Sequence, residues 1–537
     1  MLVPGTSSEA ACAASRQNDR VTTKRRIAVL LGAGASFDAG IPLTAQLTEQ
    51  VLTTVNESTD GLESWVKALN FAHAAMFSYA ARDGSNPIGT VNIERLISAL
   101  RLMRDREGHE AAPFVSSWRD PVLPEGRVYA DKWNSDRFVR NLAQALGLNG
   151  SDRGALGAAT TKSAIDNIGY FIAEFADGAK KPVRRSDYRD ADRQVLRRLG
   201  LLLRPQKPVD YLYPLVDLAL SQPGGLDVVT LNYDLAVEQA AKERSVPVAR
   251  GVGDWPRDRV RFDVSSQGLR LHKIHGSLDW AMEAYGPSAT RLKVSEEIVE
   301  EPWIVVGDRE KLATDGPTLE LLHAAEEAIE RADHLVIVGY RFADAHVNHV
   351  IRNWMIRSED RTVGLIEPHW SYPQSGSFFS RLINDYGGSW RHEVTDRKQR
   401  AFGYQGGAKD QLPRALSPEP PATDAIVVTY VGGTVADNGA LFIGIAHGGA
   451  HLSHVGFRSN AGRVTPEFED GNTSRVTLYD GIPSRVNSWP AGEKITLRIW
   501  PTQRYETLTL EIEGRTLTSE LQTSVSVPVT VPPSERE

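Results

Sequence analysis

Two short segments of this chain place polar side chains where apolar runs stop. In the first, Thr230-Leu231-Asn232-Tyr233-Asp234 follows the run Leu226-Asp227-Val228-Val229. An asparagine amide donates and accepts at once, which suits it to a ribose hydroxyl or a water. In the second, His272-Lys273-Ile274-His275-Gly276-Ser277-Leu278-Asp279-Trp280 follows Leu269-Arg270-Leu271. A histidine followed by glycine at a strand end is free to turn its ring toward a cleft, and it titrates near neutrality, as a general base must. Each segment also has a plainer reading: Asn232 and Asp234 as helix caps, His275 as a satisfied structural histidine. His272, three residues earlier, is expected to face another side of the element.

Glycine-rich and acidic strand ends supply the rest. Leu31-Gly32-Ala33-Gly34-Ala35-Ser36, with Gly40-Ile41-Pro42 behind it, permits a tight turn and brings backbone N–H groups toward a phosphate at a helix start. Its spacing departs from the usual dinucleotide fingerprint, because Phe37 stands at the third glycine position. The other reading is a strand-to-helix turn whose glycines serve packing. Later, Gly339-Tyr340-Arg341-Phe342 precedes Asp344, and Ile366-Glu367-Pro368 ends an apolar run. A carboxylate at such an end accepts well from a ribose diol, although Glu367 also fits an exposed loop. His346 and His349 lie near Asp344, but without further ligands they make no metal site.

The elements that must hold these groups alternate. Arg25–Ser36 reads as a strand buried on both faces and then a turn. Residues 91–103 place Ile93, Leu96, Ile97 and Leu100 on one helical face, and 136–146 and 163–176 repeat that spacing. Strands are expected at 225–234, 269–280, 334–340 and 363–368, with helices at 319–332 and 344–356. The pattern predicts a Rossmann-like, doubly wound parallel sheet of the α/β class with a large helical insertion at about 44–225. Residues 1–24 read as a flexible leader, 25–400 as the catalytic domain, and 401–422, rich in Gly and Pro, as a linker. From 423 to 533 short alternating runs predict an all-β, sandwich-like domain of immunoglobulin size, with Ile495, Leu497 and Ile499 inward and Thr496 and Arg498 outward.

The totals exclude several classes. Sixty-one basic against 68 acidic residues give a net charge of −7. There is therefore no global pull toward nucleic acid or anionic membrane, though a local basic patch is compatible with it. Cys12 is the single cysteine, which rules out an intramolecular disulfide and a cysteine-based zinc site. With no signal-like apolar core at the start and no bilayer-length apolar run, the reading is a cytoplasmic protein.

In their order, GAGAS with GIP, TLNYD, IHGSLDW, VGYRFAD and LIEP resemble the sirtuin-like family, particularly its bacterial antiviral branch. The resemblance covers about residues 25–375. It implies a Rossmann-like domain that takes NAD as substrate, with Gly32, Ala33, Gly34 and Ser36 at the phosphates. Asn232 and Asp234 would lie near the nicotinamide ribose, His275 would be the catalytic base, Gly339 and Tyr340 would flank the adenosine, and Glu367 a ribose. Deacylating sirtuins carry four zinc-binding cysteines and an Asp-Phe-Arg segment after GIP. This chain has neither, having Leu43-Thr44-Ala45 at the latter place.

The relatives that share these departures are NAD hydrolases that halt phage spread by NAD depletion. They are gated by homo-oligomerisation or by a partner such as a short Argonaute or a ring-forming ATPase. The expected products are nicotinamide and ADP-ribose, in linear or cyclic form, with no metal required. Two alternatives stay open: a protein deacylase or ADP-ribosyltransferase on the same scaffold, and a module that senses NAD or ADP-ribose without cleaving it.

Overall fold

The computed structural model describes residues 25–58, 63–82, 91–109, 185–285, 289–306, 316–368, 376–389, 398–419, 424–437, 439–468, 476–479, 482–501 and 507–527. The 1–24 leader and the helices expected at 136–146 and 163–176 lie outside them.

In chain order the elements begin with β1 (Ile27–Leu31), a 3-10 helix (Ala33–Ala39), α1 (Thr44–Ser58), α2 (Ser64–Arg82), α3 (Ile93–Asp105), α4 (Arg185–Leu202) and α5 (Tyr213–Ser221). β2 (Leu226–Thr230), α6 (Ala236–Glu243), β3 (Val248–Ala249), β4 (Leu269–Lys273), β5 (Trp280–Tyr285) and β6 (Ala289–Val294) follow. Then come α7 (Thr318–Glu330), β7 (His334–Val338), α8 (Ala345–Arg357), β8 (Thr362–Glu367), α9 (Phe378–Tyr386), β9 (Gly388–Ser389), β10 (Ala401–Gln405) and α10 (Ala408–Ala415).

Seven strands form a parallel sheet in the order β10-β8-β7-β1-β2-β4-β3, flanked by helices. Every residue of β1, β2, β4 and β7 is buried, as happens when helices cover both faces of a parallel sheet. The fold is therefore of the expected α/β class. Contact density divides the chain into two units: one comprises Leu30–Glu327 with Val338–Arg341, the other chiefly Ala328–Ile337 with Phe342–Glu537.

In the first unit the insertion supplies α1 to α5. The stripe Ile93, Leu96, Ile97 and Leu100 is buried, and Asn92 caps α3 by accepting from the Arg95 amide. Arg101 Nε meets the Asp192 carboxylate of α4 at 3.1 Å. The hairpin β5–β6 had no clear signal in the sequence; Trp280, fully buried, anchors it against Val252, Leu292 and Leu321.

In the second unit the expected linker at 401–422 is corrected. Ala401–Gln405 pairs in parallel with β8, Phe402 opposite Gly364, and Ala408–Ala415 is helical. Its glycines are there for close approach rather than flexibility: a Cβ at Gly403 would lie 2.5 Å from the Leu517 side chain, and Gly406 has φ +143.

The C-terminal strands are β11 (Val428–Val435), β12 (Leu441–His447), β13 (Leu452–Ser459), β14 (Gly462–Glu467), β15 (Val476–Tyr479), β16 (Ile482–Trp489), β17 (Lys494–Pro501), β18 (Leu508–Arg515) and β19 (Ser519–Val527). They form two sheets, β11-β12-β17-β14 and β15-β16-β13-β18-β19-β9. Ile495, Leu497 and Ile499 are buried with Leu441, Ile443, Ile445 and Trp489. A detail outside the sequence reading is that β9 joins the second sheet, Gly388 opposite Ser519. Asp424 accepts from Gln399 Nε2 and from the hydroxyls of Thr516, Thr518 and Ser519, all within 3.1 Å.

Candidate active site

The carboxyl ends of β1, β2 and β4 converge within the first unit. Parallel pairing sets Thr230 opposite Lys273. The ladder then continues one residue further on each strand, the Leu231 amide donating to Leu31 O at 2.9 Å and the Ile274 amide to Thr230 O at 3.3 Å. Asn232 and His275 are each the next residue. They leave the sheet from adjacent strand ends, where neighbouring chains run about 5 Å apart. This is the end at which open α/β sheets bind ligands.

Four residues singled out in the sequence meet in one network. Asn232 Nδ2 donates to Gly32 O at 2.9 Å and to Ser36 Oγ at 3.0 Å. Ser36 Oγ donates to Asp234 Oδ2 at 2.7 Å, and Asp234 Oδ1 accepts from the Ala236 amide at 3.0 Å, capping the turn into α6. The cap reading of Asp234 thus holds alongside any role toward a ligand. With Nδ2 committed, the Asn232 amide is fixed in orientation, and among the described residues its Oδ1 accepts no hydrogen bond.

The glycines are engaged with each other. The Gly32 amide donates to Val338 O at 2.9 Å and that of Gly34 to Gly339 O at 3.0 Å. A Cβ at Gly32 would lie 2.7 Å from Tyr340 Cα, one at Gly34 would lie 2.8 Å from Gly339 Cα, and Gly339 itself has φ +59. Glycine is needed here because two backbones touch. Ala33 opens a 3-10 helix rather than an α-helix, and Phe37 on that helix is 54% exposed. Tyr340 is buried beside Gly32. Glu367 ends β8 in the other unit, and Asp344, also there, caps α8 through the His346 and Val347 amides.

His275 is 6% exposed on a tightly held loop. Its carbonyl accepts from the Val305 amide at 2.9 Å. Gly276 has φ +83, and a Cβ there would collide with Trp303 O, so only glycine lets segment 303–305 close over the loop. Tyr233 Oη donates to Val305 O at 3.2 Å and faces Glu94 Oε1 of α3 at 3.4 Å, joining the helical insertion to the same loops.

Beneath the site lie ionisable groups that the sequence pattern did not single out. Lys273, with 0% exposure, donates through Nζ to Asp234 O at 2.5 Å and to Glu238 Oε1 at 2.9 Å. Burial pushes the Glu238 carboxyl up, and Lys273 opposes that. Asp279, also fully buried, accepts from Ser277 Oγ at 2.5 Å and faces Arg250 at 3.1 Å. Asp227 binds Arg270 Nε at 2.7 Å and His272 Nε2 at 3.1 Å. Burial alone would raise Asp227; its hydrogen bonds to His272 and Arg270 overturn that and hold it well below the usual carboxylate range. His272 is thus structural, its ring tilted by 31° against that of Phe262 with the centroids 3.8 Å apart. The available signal was charge inside an apolar strand: Arg270, His272 and Lys273 are three of the residues of β4.

Residues 227–387 match the family model of the SIR2-like domain. The match takes in Asn232, Asp234, His275, Gly339, Tyr340 and Glu367, and it supports the sirtuin-like family. SIR2-like domains use NAD, so chemistry on NAD is the activity to which this one points. No curated protein matches the chain. Among solved structures, the archaellum periplasmic stator protein FlaG from Sulfolobus acidocaldarius matches at 15% identity over 19% of this chain and 99% of that one, with a TM-score of 0.11. That likeness is too slight to bear on fold or function. Among the described residues of the SIR2-like domain and its surroundings, no three His, Cys, Asp or Glu side chains gather as a metal site would need. No described helix is long and apolar enough to cross a membrane.

Proposed function

We propose that the SIR2-like domain hydrolyses NAD at the bond between nicotinamide and ribose. The observation that supports this reading is the pair Asn232 and His275, leaving the sheet from adjacent strand ends with the Asn232 amide oriented by Gly32 O and Ser36 Oγ. Departure of neutral nicotinamide requires no strong acid from the protein. The C1′–N bond breaks with its electron pair going to the nicotinamide nitrogen, and a water oxygen bonds to C1′. Asn232 Oδ1 holds the ribose hydroxyl or that water, and His275 accepts the water's proton. The products are nicotinamide and ADP-ribose. Ser36 and Asp234 act through Asn232, and Phe37 offers an exposed apolar face beside them.

Such an activity would exhaust the cell's NAD unless gated. On this proposal the enzyme is held idle until assembly with copies of itself or a defence partner, and its release blocks phage spread by NAD depletion. The single cysteine, Cys12, leaves no set of zinc-binding thiols of the deacylase kind.

Nicotinamide release from NAD by the purified chain tests the proposal. His275→Ala should lower the rate by about 10²–10⁴-fold, the usual weight of a general base, with the unfolding transition unchanged. Asn232→Ala should also lose turnover. Equal rates for His275→Ala and the parent chain would overturn the assignment, and NAD binding without turnover under every condition would make the domain a sensor.

A further inference from the structure

The first unit contains a concavity whose lining differs from the site above. It is a wide cleft of about 1620 Å³ between α6, the loop after β3 and the end of α4. Neither Asn232, His275 nor the Gly32 loop lines it. Six cations do: Arg204, Lys242, Arg250, Arg257, Arg259 and Arg261. Among the described residues, three carboxylates share the walls, Glu238, Asp258 and Glu296, and Glu238 is already met by Lys273 from below.

The pairing of these cations is informative. Arg250 faces the buried Asp279 at 3.1 Å. Arg204, Lys242, Arg257, Arg259 and Arg261 have no carboxylate partner among the described residues. In a chain of net charge −7, five unmatched cations around one cleft form a local field that attracts anions. Guanidinium groups bind phosphate through paired N–H donors. Apart from Gln239, the remaining lining is largely apolar, with Leu203, Leu235, Val246, Val248, Val252 and Val294. Bare phosphate would leave that surface unused. A small ligand that joins phosphates to one flat, largely apolar ring system uses both kinds of wall.

We propose that this cleft binds a nucleotide carrying two or more phosphates, at a place separate from the NAD site. The cleft also touches the supports of the reacting loop. Arg250 is the counter-charge to Asp279, which accepts from Ser277 two residues beyond His275. Glu238 holds Lys273, which in turn donates to Asp234 O. A phosphate that draws on Arg250 weakens the Arg250–Asp279 pair and loosens the loop of residues 275–279, so occupancy of the cleft is felt at the site. That consequence rests on the proposed NAD chemistry; the binding itself does not.

Calorimetric titration with ADP, in the presence of saturating NAD, tests the binding. The parent chain should bind ADP, more weakly as salt is raised. The triple variant Arg257→Ala, Arg259→Ala, Arg261→Ala, altered only at exposed positions, should lose about tenfold in affinity per phosphate contact removed. Its NAD turnover without ADP should equal that of the parent. Three results would overturn the proposal: no ADP binding, ADP binding that NAD displaces and the triple variant leaves intact, or binding of a single-stranded oligodeoxynucleotide through these arginines while ADP does not bind. Failure of NAD cleavage alone would leave the ADP result standing, so the two readings fail separately. For the coupling, hydrogen exchange at residues 275–279 should quicken when ADP binds the parent and stay unchanged in the triple variant; unchanged exchange in ADP-bound parent would remove the coupling.

Discussion

Strand β4, buried throughout, and strand β17, buried on one face, bury opposite kinds of side chain. In β4 the interior holds Arg270, His272 and Lys273. In β17 it holds Ile495, Leu497 and Ile499, packed with Leu441, Ile443 and Trp489. Charge is tolerated in β4 because the register of the sheet supplies each group with a partner: Asp227 stands opposite Arg270 and also accepts from His272, while Lys273 finds Glu238 at the start of α6. β17 needs no partners, only volume filled without voids. One region is specified by pairing and the other by packing. Polar rigidity therefore belongs at the strand ends that carry Asn232 and His275, and hydrocarbon at the strands whose task is stability.

That contrast can be tested first where it is strongest. Asp227→Ala leaves Arg270 buried without its counter-charge and should cost about 3–5 kcal/mol of unfolding free energy in urea. A cost no greater than that of an exposed ion pair would remove pairing as the basis of the β4 region. Leu497→Ala opens a cavity in the C-terminal core and should cost about 2–5 kcal/mol. Its NAD turnover, measured on the folded fraction, should stay at the parent value; loss of turnover would show that the two regions are not independent in function.

Acidity separates ionised from neutral burial. Burial lowers His73 on α2 to about 4, from an ordinary value of 6.5. Its neutral form is the one the fold accepts. Stability from this group is complete above pH 6.5 and declines as pH falls toward about 4, where the folded chain also takes up the proton. The loss is at most about 1.4 kcal/mol for each pH unit crossed. His334, lowered to about 3 chiefly by burial and then by Arg25, acts in the same direction. Asp227 behaves differently, its contribution being retained until the pH drops below the ordinary carboxylate value of 3.8. Urea midpoints between pH 7 and pH 4 should fall for the parent chain and fall less for His73→Phe; identical slopes would place the titrating group elsewhere.

Smaller effects sharpen the picture. Gly276→Ala forces a side chain into a positive-φ position against Trp303 O and should cost about 1–3 kcal/mol, with a larger proportional loss of NAD turnover because the His275 loop shifts. Arg485→Ala breaks the exposed pair with Glu513 and should change stability by less than about 1 kcal/mol.

Much of the parallel sheet was legible because its strands are continuous apolar runs ending in glycine or polar residues, and because α3 shows its buried stripe at helical spacing. The segment 401–422 misled for a physical reason. Glycine marks both a flexible joint and a place where two chains touch, and composition does not distinguish them; at Gly403 it is contact with Leu517. The same ambiguity affected the GAG turn, where packing against Gly339 and Tyr340 accounts for Gly32 and Gly34. The hairpin β5–β6 and the pairing of β9 with β19 gave little warning, since their partners are decided across the sheet rather than along the chain.

By itself, then, the sequence determined the order of strands and helices, the absence of a zinc-binding cysteine set, and the positions of Asn232 and His275 just beyond two apolar runs. Periodicity and residue chemistry are local properties, and these features need nothing more. Only the tertiary structure decided that β2 and β4 are neighbours, that Asn232 is held by Ser36 and Gly32 O, and that Lys273, Glu238, Asp279 and Arg250 form a charged support below them. A buried charge is stable only beside its partner, and here those partners lie between 29 and 35 residues away, as Arg250 to Asp279 and Glu238 to Lys273.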